Sequence, residues 1–580
     1  MKRRDFVKMA AGTAAMSSLP GVFDAKSARD SSTRPNIFMI FTDDTTQRDH
    51  GCYGNRYVRT PNIDRFAQDG MLFENMITPA PMCGPSRAAL HTGLNPIRNG
   101  AHPNHSSVKP GMKSMAHYMQ AVGYRVILLG KQHLKPKEYF PYEYRDEVLG
   151  HRKHGKEIGQ ILRDPGDKPL CIIMNHFETH WTFEHGQEEY PYDPDEVEIP
   201  PYLVDTPETR EQRARYFSEV TFMDNAVGDV LKLLEDTGMV ENTLTIYASD
   251  HGSHWPREKW NMYDTGIKLP FIARWPGKIK PGTRTNALAS LVDIIPTFID
   301  IAGGDVDQVV ADCDGEPLDG RSLLPVMLGE KQDVQQEIFS LMTFGVTNAY
   351  PIRAVRTKTH KYIWNIDSHF IFPDYWARDL PQTPQEWKVW SSWERKAATD
   401  PAARRLIRSI LYRPPVELYD LRNDPFELNN LADDPEQAGL LASLRAKLDA
   451  WMVQQGDDGS SAYHLEKGHK HRLMDEIFSR QVVVHTRMIP AGRGIAFEDL
   501  AWVELSSPVW AARIHYTLDG SEPTQNSPRF TKRFQIKPPV IIKAKGFFEG
   551  GETPVNEIDF REWGCFEFYT NHWYKPLYYE

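Results

Sequence analysis

Residues 36–44 of this chain read NIFMIFTDD, an unbroken apolar run that ends in two aspartates. A short apolar run without polar alternation is typical of a β-strand that is buried on both faces. Similar runs recur at Arg125–Leu129, Leu170–Met174 and Thr243–Ala248. We therefore predict that these four segments are strands of one sheet that is covered on both sides.

Two stretches between these runs have the apolar spacing of helices, Met112–Ala121 and Ala214–Asp236. Strands that alternate with helices predict an α/β fold, a mixed and mostly parallel sheet sandwiched by helices. In such sheets ligands bind at the carboxyl ends of the strands. A functional site is therefore expected directly after the apolar runs.

Acidic residues follow two of the predicted strands at that position. Asp43 and Asp44 follow the first run, and Asp250 with His251 follows the run at Thr243–Ala248. Carboxylate oxygens in pairs are hard ligands that suit Ca²⁺ or Mg²⁺. The same short sequences are also common in turns and helix caps, so these fragments alone leave both interpretations open.

The chain has 580 residues, which predicts two or more domains. Its formal net charge of −10 argues against nucleic acid as a partner, although a local basic pocket can still bind an anion. The five cysteines are scattered and form no CxxC pair, so neither a zinc site nor a disulfide framework is predicted.

The N-terminus combines Arg3 and Arg4 with an alanine-rich stretch, and residues 1–28 look like a twin-arginine export signal. The alternative is a disordered basic tail. No other segment offers about 18 consecutive apolar residues, so we expect no integral membrane segment. The predicted location is therefore periplasmic or extracellular, in a bacterium.

Cys83 opens the string CGPSRAALHTG, with Arg87 four residues later. A lone cysteine is more often a small buried hydrophobe than a reactive group. The complete pattern C-x-P-x-R-x-x-x-x-T-G, however, resembles the maturation signature of the sulfatase family. In that family a formylglycine-generating enzyme oxidises the cysteine to formylglycine, which implies such an enzyme as a partner here.

Further segments resemble the same family in the same order along the chain. They are Phe41–Gly54, Thr60–Asn75, the GKQH motif at Gly130–His133, the segment around His180, the segment KWNMYDTGIKLP that begins with Lys259, and Val416–Glu436. The resemblance covers roughly residues 34–455 and implies an alkaline-phosphatase-like α/β fold.

The resemblance also implies a role for each matching residue. A Ca²⁺ ion, or less favourably Mg²⁺, would be held by Asp43, Asp44, Asp250, His251 and the modified Cys83. The other implied roles are Arg87 holding the hydrate and metal loop, Lys131 and Lys259 binding sulfate oxygens, and Asp250 accepting the nucleophile's proton. Two histidines would also bind the substrate, His180 as acid for the leaving group and His133 as base for elimination.

Within the family, the chain is most similar to the heparan N-sulfatase branch, through GKQHLKPKEYFPYEYR and YRPPVELYDLRNDPFE. Lys259 departs from that branch, which has arginine there. Thr179 and Thr182 replace two prolines of the family pattern around His180. An O-sulfate ester and an N-sulfoglucosamine therefore both remain candidate substrate groups.

The expected domains follow from these boundaries. They are a catalytic domain over 34–350, a smaller α+β C-terminal subdomain over 351–455, a polar connector over 456–493 and an all-β module over 494–580. The module contains RIHYTLDGSEP, with an Asp519-Gly520 turn, and is similar to the chitobiase C-terminal-like β-sandwich. It would either bind polysaccharide or serve only in packing.

The predicted function is hydrolysis of sulfate from a sulfated oligo- or polysaccharide. One alternative is a phosphonate or phosphate monoesterase of the same superfamily. The other is a glycan-binding pseudoenzyme, which would result if Cys83 were never oxidised.

Overall fold

The computed structural model describes most of the chain between residues 34 and 457 and parts of the C-terminal module. The described residues are 34–145, 151–344, 349–366, 368, 372, 389–457, 459, 483–487, 501–506, 513–531, 534–536, 540–548, 551–552 and 555–559. The predicted export signal and the aromatic C-terminal tail lie outside these residues.

A nine-stranded sheet forms the centre of the catalytic part. Its strands are β1 Asn36–Thr42, β2 Met71–Ile77, β3 Arg125–Gly130, β4 Glu143–Arg145, β5 Leu170–Asn175, β6 Thr243–Ser249, β7 Lys268–Leu269, β8 Phe271–Arg274 and β9 Thr283–Ser290. The order is β4-β3-β5-β1-β6-β8-β2-β7, with β9 paired to β2. Strands β4, β3, β5, β1 and β6 are mutually parallel, and β8 pairs antiparallel with β6 and β2. The predicted mixed, mostly parallel sheet is confirmed.

Helices cover both faces of this sheet. They are α1 Pro61–Gln68, α2 Cys83–Thr92, α3 Pro96–Asn99, α4 Met115–Ala121, α5 His151–Arg163, α6 Pro207–Asp236, α7 Asp264–Ile267, α8 Ile294–Ile301, α9 Val306–Asp312 and α10 Leu324–Met327. Alternate residues of β1 face the two sides, so Met39 packs with α2, α4 and α8, whereas Ile40 packs with α1 and α6. An uninterrupted apolar strand is needed because both of its faces are buried.

Two helix starts differ from the sequence prediction. Helix α6 begins at Pro207, seven residues before the predicted start, and the Thr206 side chain caps it by accepting a hydrogen bond from the Thr209 amide. The first turns of α6 are polar and hid the apolar period, although a threonine followed by proline is a helix-start signal. Helix α4 begins at Met115 rather than at residue 112, because Ser114 and His117 form a capping box there.

A four-stranded antiparallel sheet follows the catalytic sheet. Its strands are β10 Ile338–Phe344, β11 Ala349–Arg356, β12 His360–Asn365 and β13 Val416–Asp420, and the later helices are α11 Val389–Ala397, α12 Pro401–Leu411 and α13 Ala438–Gln455. The boundary predicted at residue 350 falls inside the β10–β11 hairpin, so the small sheet begins at Ile338. Both hairpin strands belong to this sheet through their backbone pairing.

The C-terminal module consists of short antiparallel strands. They are β14 Val483–Arg487, β15 Ala501–Ser506, β16 Arg513–Thr517, β17 Phe534–Ile536, β18 Ile541–Phe548, β19 Gly551–Glu552 and β20 Asn556–Asp559. Strand β14 pairs with β15, although it lies within the segment 456–493 that was predicted to be a connector. Its sequence, VVHTR, has the β-branched residues of a strand. The pairing of β16 with β18 matches the predicted strands on either side of the Asp519-Gly520 turn.

Among the residues that the structure describes, no helix is both long enough and apolar enough to cross a bilayer. The cysteines in that part of the chain, Cys52, Cys83, Cys171 and Cys313, are all free thiols.

Candidate active site

The pairing of β1 with β6 brings the two acidic segments together. Thr42 is in register with Ser249, so Asp43 and Asp44 leave the sheet beside Asp250. The Asp44 amide donates a hydrogen bond to Asp250 Oδ1 at 3.1 Å. All three aspartate side chains are fully buried. Two segments 206 residues apart in the sequence therefore form one acidic pocket at the carboxyl edge of the sheet.

Cys83 enters this pocket as the first residue of α2. Its Sγ lies 3.1 Å from His251 Nε2 and 3.7 Å from Asp44 Oδ1. Burial opposes ionisation of the thiol, but the positive charges of Lys131, Lys259 and His251 hold the pKa of Cys83 well below its usual range. The start of a helix also favours negative charge at this sulfur.

Arg87 lies one helical turn after Cys83 and bridges the two acidic segments. Its Nη2 is 3.1 Å from Asp43 Oδ1 and 3.1 Å from Asp250 Oδ2, and all three side chains are inaccessible to solvent. The guanidinium carbon also lies 5.1 Å from the centre of the Phe41 ring. The four-residue spacing from Cys83 thus places Arg87 behind the pocket, where it compensates two carboxylates.

The predicted cation ligands form a compact donor set. Two groups of residues each bring one ligand atom per side chain to within 4.8 Å of the others. One group is Asp43, Cys83, Asp250 and His251, and the other is Asp43, Asp44, Cys83 and His180. His251 donates its Nδ1 proton to the Gly252 carbonyl at 2.9 Å, which turns its Nε2 towards the carboxylates. Three buried carboxylates converging in this way suit a hard divalent cation such as Ca²⁺ or Mg²⁺.

The close carboxylates change one another's protonation. Burial and the neighbouring negative charge of Asp43 raise the pKa of Asp250 well above its usual range. In contrast, Lys131 and Arg87 overcome the effect of burial at Asp43 and hold its pKa below the usual range. Burial alone would lower the pKa of His251, but Asp250 and the neighbouring anions raise it to about 9.

The two predicted lysines both reach these carboxylates. Lys131 follows β3 and forms an ion pair with Asp43. Lys259 Nζ lies 2.6 Å and 2.8 Å from the two carboxylate oxygens of Asp44. The three aspartates of the pocket are therefore faced by the two lysines, by Arg87 and by His251, whose Nε2 lies 3.3 Å from Asp44 Oδ1.

The two predicted catalytic histidines lie on segments that follow neighbouring strands. His133 follows β3, and its Nε2 is 2.6 Å from Nδ1 of His105. His180 follows β5 and donates its Nδ1 proton to the Trp181 carbonyl at 2.6 Å. The peptide bonds before Thr179 and Thr182, the two residues that replace prolines of the family pattern, are cis.

The structure adds residues that the sequence analysis missed. His254 Nδ1 lies 3.5 Å from Asp44 Oδ2, and its ring stacks on Trp181 at 5.7 Å between centres. The Asn104 side chain accepts a hydrogen bond from the Gly84 amide at 3.1 Å, next to Cys83. The only sequence signal for His254 was its position three residues after His251, and His105 and Asn104 lie in a loop without a motif.

Comparisons with known proteins agree with this geometry. The family model "Sulfatase" matches residues 35–304. An ulvan-active sulfatase of Formosa agariphila is 32% identical over 442 residues, which cover 73% of this chain and 81% of that protein.

The chain belongs to the sulfatase family.

This sulfatase is therefore an enzyme that hydrolyses sulfate esters, as predicted. The family model "N-sulphoglucosamine sulphohydrolase, C-terminal" matches residues 252–399, and human N-sulphoglucosamine sulphohydrolase is 29% identical over 73% of this chain and 91% of that protein. The resemblance to that branch is thus confirmed. The model "Chitobiase/beta-hexosaminidase C-terminal domain" matches residues 494–556, which confirms the predicted kind of module.

Solved structures share the fold of the sulfatase. One, in complex with its substrate D-glucosamine-2-N,6-O-disulfate, has 20% identity and a TM-score of 0.57, and the match covers 74% of this chain and 99% of that one. The phosphonate monoester hydrolase of Agrobacterium radiobacter has 20% identity and a TM-score of 0.56 over 73% of this chain and 96% of that one. The fold is therefore common to sulfate and phosphonate hydrolases.

Proposed function

We propose that this sulfatase removes sulfate from a sulfated glycan, with formylglycine made from Cys83 as the nucleophile and Ca²⁺ as the cofactor. The observation that carries the proposal is the position of Cys83. Its sulfur lies at the start of α2, within reach of His251 and Asp44 and in the field of Lys131 and Lys259. A sulfate group at this point would meet a nucleophile and positive charge together.

The choice of formylglycine rests on the CGPSRAALHTG string and on the chemistry of the reaction. The hydrated aldehyde supplies two hydroxyls on one carbon, one to attack sulfur and one to expel sulfate as the aldehyde re-forms. Asp250 is the proposed acceptor of the nucleophile's proton. Its raised pKa, caused by burial and by Asp43, suits a carboxyl group that must take up a proton.

The proposed cation ligands are Asp43, Asp44, Asp250, His251 and the modified side chain of residue 83. The oxygen-rich donor set favours Ca²⁺ over softer metals, with Mg²⁺ as the less favoured ion. Such a cation supplies polarisation of the sulfate oxygens and a lower pKa for the nucleophilic hydroxyl. Arg87 holds Asp43 and Asp250 at a fixed separation through its two 3.1 Å contacts.

Lys131 and Lys259 are the proposed sulfate-binding residues. Each carries its ammonium group to the acidic pocket, Lys131 from the end of β3 and Lys259 from the loop after β6. Their positive charge would be most stabilising when negative charge develops on the oxygens of the transition state. In water such contacts would be weak, but both ammonium groups are largely withdrawn from solvent.

The two histidines are proposed to move protons. Partial burial lowers the pKa of His133, so its ring is neutral and can accept the proton released in the elimination step. His180 donates Nδ1–H to the Trp181 carbonyl, which leaves Nε2 to carry the proton for the leaving group.

The proposed substrate class is a sulfated oligo- or polysaccharide. It is supported by the relatives, which include an ulvan-active sulfatase and N-sulphoglucosamine sulphohydrolase. Lys259 replaces the arginine of the N-sulfatase branch, so both O-sulfate and N-sulfate remain candidates.

We also propose a twin-arginine export signal over residues 1–28 and an exported, periplasmic or extracellular enzyme. Export of a folded protein would require a formylglycine-generating enzyme to act on Cys83 in the cytoplasm. The proposed domain boundaries are those of the sequence analysis, with the small sheet starting at Ile338. The module within 494–580 is proposed either to bind the polysaccharide or to pack against the enzyme.

Released sulfate and phosphate are the readouts that test this function. The enzyme is assayed with sulfated mono- and oligosaccharides, including N-sulfoglucosamine, and with matching phosphate and phosphonate monoesters. We expect release of sulfate from at least one sulfated saccharide. Faster turnover of a phosphorus ester would instead favour the phosphonate hydrolase function that shares this fold.

Mass spectrometry of the tryptic peptide that contains Cys83 tests the nucleophile. We expect the peptide to be lighter by the difference between CH₂SH and CHO, and the Cys83→Ala variant to fold without turnover. An unmodified peptide from an active preparation contradicts the mechanism. An unmodified peptide from an inactive protein supports the pseudoenzyme alternative.

A further inference from the structure

His133 and His105 lead from Cys83 towards the solvent on one side of the pocket. His133 is half-buried next to Cys83, and its Nε2 is 2.6 Å from Nδ1 of His105. The two rings lie 4.5 Å apart between centres. His105 and Lys135 are both exposed, and Lys135 is near enough for its charge to act on the His105 ring. These residues therefore form part of the mouth of the pocket.

The two loops that carry these residues are held together. The Val108 amide donates a hydrogen bond to the Lys135 carbonyl at 2.8 Å, and Asn104 accepts one from the Gly84 amide at the start of α2. His105 and His133 both have positive φ angles, 62° and 52°. Non-glycine residues rarely adopt this conformation unless their surroundings enforce it. The positions of the two histidines are thus imposed by the loops.

Lys135 carries a positive charge on these loops. Residues 101–110 and 131–137 contain four lysines and no aspartate or glutamate. Within the described parts of the chain, Lys135 forms no ion pair with any carboxylate, including Glu138 nearby in sequence. Partial burial, the adjacent His133 ring and the charges of Lys135 and Lys131 lower the pKa of His105 to about 4. Lys135 therefore contributes charge, and the neutral His105 ring contributes hydrogen bonding.

We propose that His105 and Lys135 form a subsite for a second anionic group of the substrate, most simply a second sulfate on the same saccharide. This inference rests on the proposed glycan sulfatase function and narrows its substrate class to saccharides with more than one sulfate. A lysine that has no acidic partner among the described residues, beside the proposed sulfate pocket, is free to bind a further anion. The neighbouring ring nitrogen of His105 adds a directional contact that a lone surface lysine lacks.

Equilibrium binding to proteins that cannot turn over tests the subsite directly. The background is Cys83→Ala, and the probes are glucosamine 2-N,6-O-disulfate, N-sulfoglucosamine and glucosamine 6-O-sulfate, titrated by calorimetry at low salt. Adding Lys135→Ala should weaken binding of the disulfate about five-fold, the scale of one exposed ion pair. Binding of the two singly sulfated sugars should change less than two-fold, and Lys135→Arg should restore binding of the disulfate.

Lys137→Ala is the matched control. Lys137 lies two residues further along the same loop, but its ammonium is 4.4 Å from the centre of the Tyr144 ring. Its removal should leave binding of all three sugars unchanged. His105 is not used as the test residue because it contacts His133, a proposed catalytic residue.

Two results would overturn the subsite. One is a disulfate that binds the Cys83→Ala protein no more tightly than the singly sulfated sugars. The other is an equal effect of Lys135→Ala on the binding of all three sugars, which would indicate that the Lys135 charge attracts any anionic sugar and does not bind a second sulfate. Sulfate release by the wild-type enzyme is measured separately. If no saccharide releases sulfate, the proposed function fails, while a selective loss of disulfate binding would still support the subsite.

Discussion

Replacing Arg87 with glutamine should destabilise the protein most strongly when no divalent cation is present. The guanidinium touches both acidic segments, at 3.1 Å from Asp43 and 3.1 Å from Asp250. Glutamine keeps much of the side-chain length and removes the charge. The variant would therefore leave two buried carboxylates next to each other without the group that compensates both.

The size of the effect follows from these distances. At an effective dielectric constant of about 20, a contact with an ionised carboxylate has a Coulomb energy of roughly 5 kcal/mol, which is an upper limit for Asp250 because its raised pKa favours the neutral acid. Desolvation of the three ions offsets much of this attraction, and breaking a buried ion pair costs about 3–5 kcal/mol. We expect a loss of stability of that order in EDTA. Calcium should recover part of it, because a cation bound by Asp43 and Asp250 compensates the same charges.

The assay is thermal or denaturant unfolding of the purified protein in EDTA and in millimolar calcium. Arg353→Gln is the matched control, because Arg353 forms an equally buried ion pair with Asp457, with Nη2 at 2.8 Å from Oδ1, away from the active site. Calcium should stabilise Arg87→Gln more than either the wild type or Arg353→Gln. Equal stabilisation of all three proteins would refute the idea that Arg87 and the cation compensate the same carboxylates.

Three further predictions concern pH, packing and metal. Burial raises the pKa of Glu219 to about 8, above its value in the unfolded chain, so the free energy of unfolding should fall as pH rises from about 4.5 to about 8. Glu219→Gln should therefore raise the free energy of unfolding, and with it the melting temperature, by up to roughly 4 kcal/mol at pH 8 and by much less at pH 5. Equal gains at both pH values would contradict this. In Gly252→Ala the new Cβ would lie 2.0 Å from the Thr265 carbonyl oxygen, so the loop that carries Asp250 must shift. We expect at least a ten-fold loss of kcat/KM. Wild-type kinetics would show instead that the contact is easily relieved. Removal of divalent ions with EDTA should abolish sulfate release, and calcium should restore it better than magnesium; full activity in EDTA would exclude the proposed cation.

Much of the catalytic sheet could be predicted because its signals are local. A strand buried on both faces is apolar at most positions without a polar alternation, and β1, β3, β5 and β6 all read that way. The start of α6 was harder to find, since its first turns are polar and lack an apolar period. Strand β14 was missed because a short β-branched run stands alone in a polar segment.

The candidate site was predictable to the extent that motifs carry it. The spacing of Cys83 and Arg87 is one helical turn, so local geometry alone places both on one side of α2. His105 and His254 carry no such signal. They approach the pocket only because loops from distant parts of the chain meet there.

By itself, the sequence determined the family and the strands of the central sheet, and it supplied the candidate site residues. Those properties depend on local patterns of apolar residues and on a short motif. The tertiary structure alone decided which charges face each other, namely Arg87 with Asp43 and Asp250, Lys259 with Asp44, and Lys135 with no carboxylate among the described residues. Parallel strands are paired across long stretches of chain, so their register, and not any local propensity, determines which side chains meet.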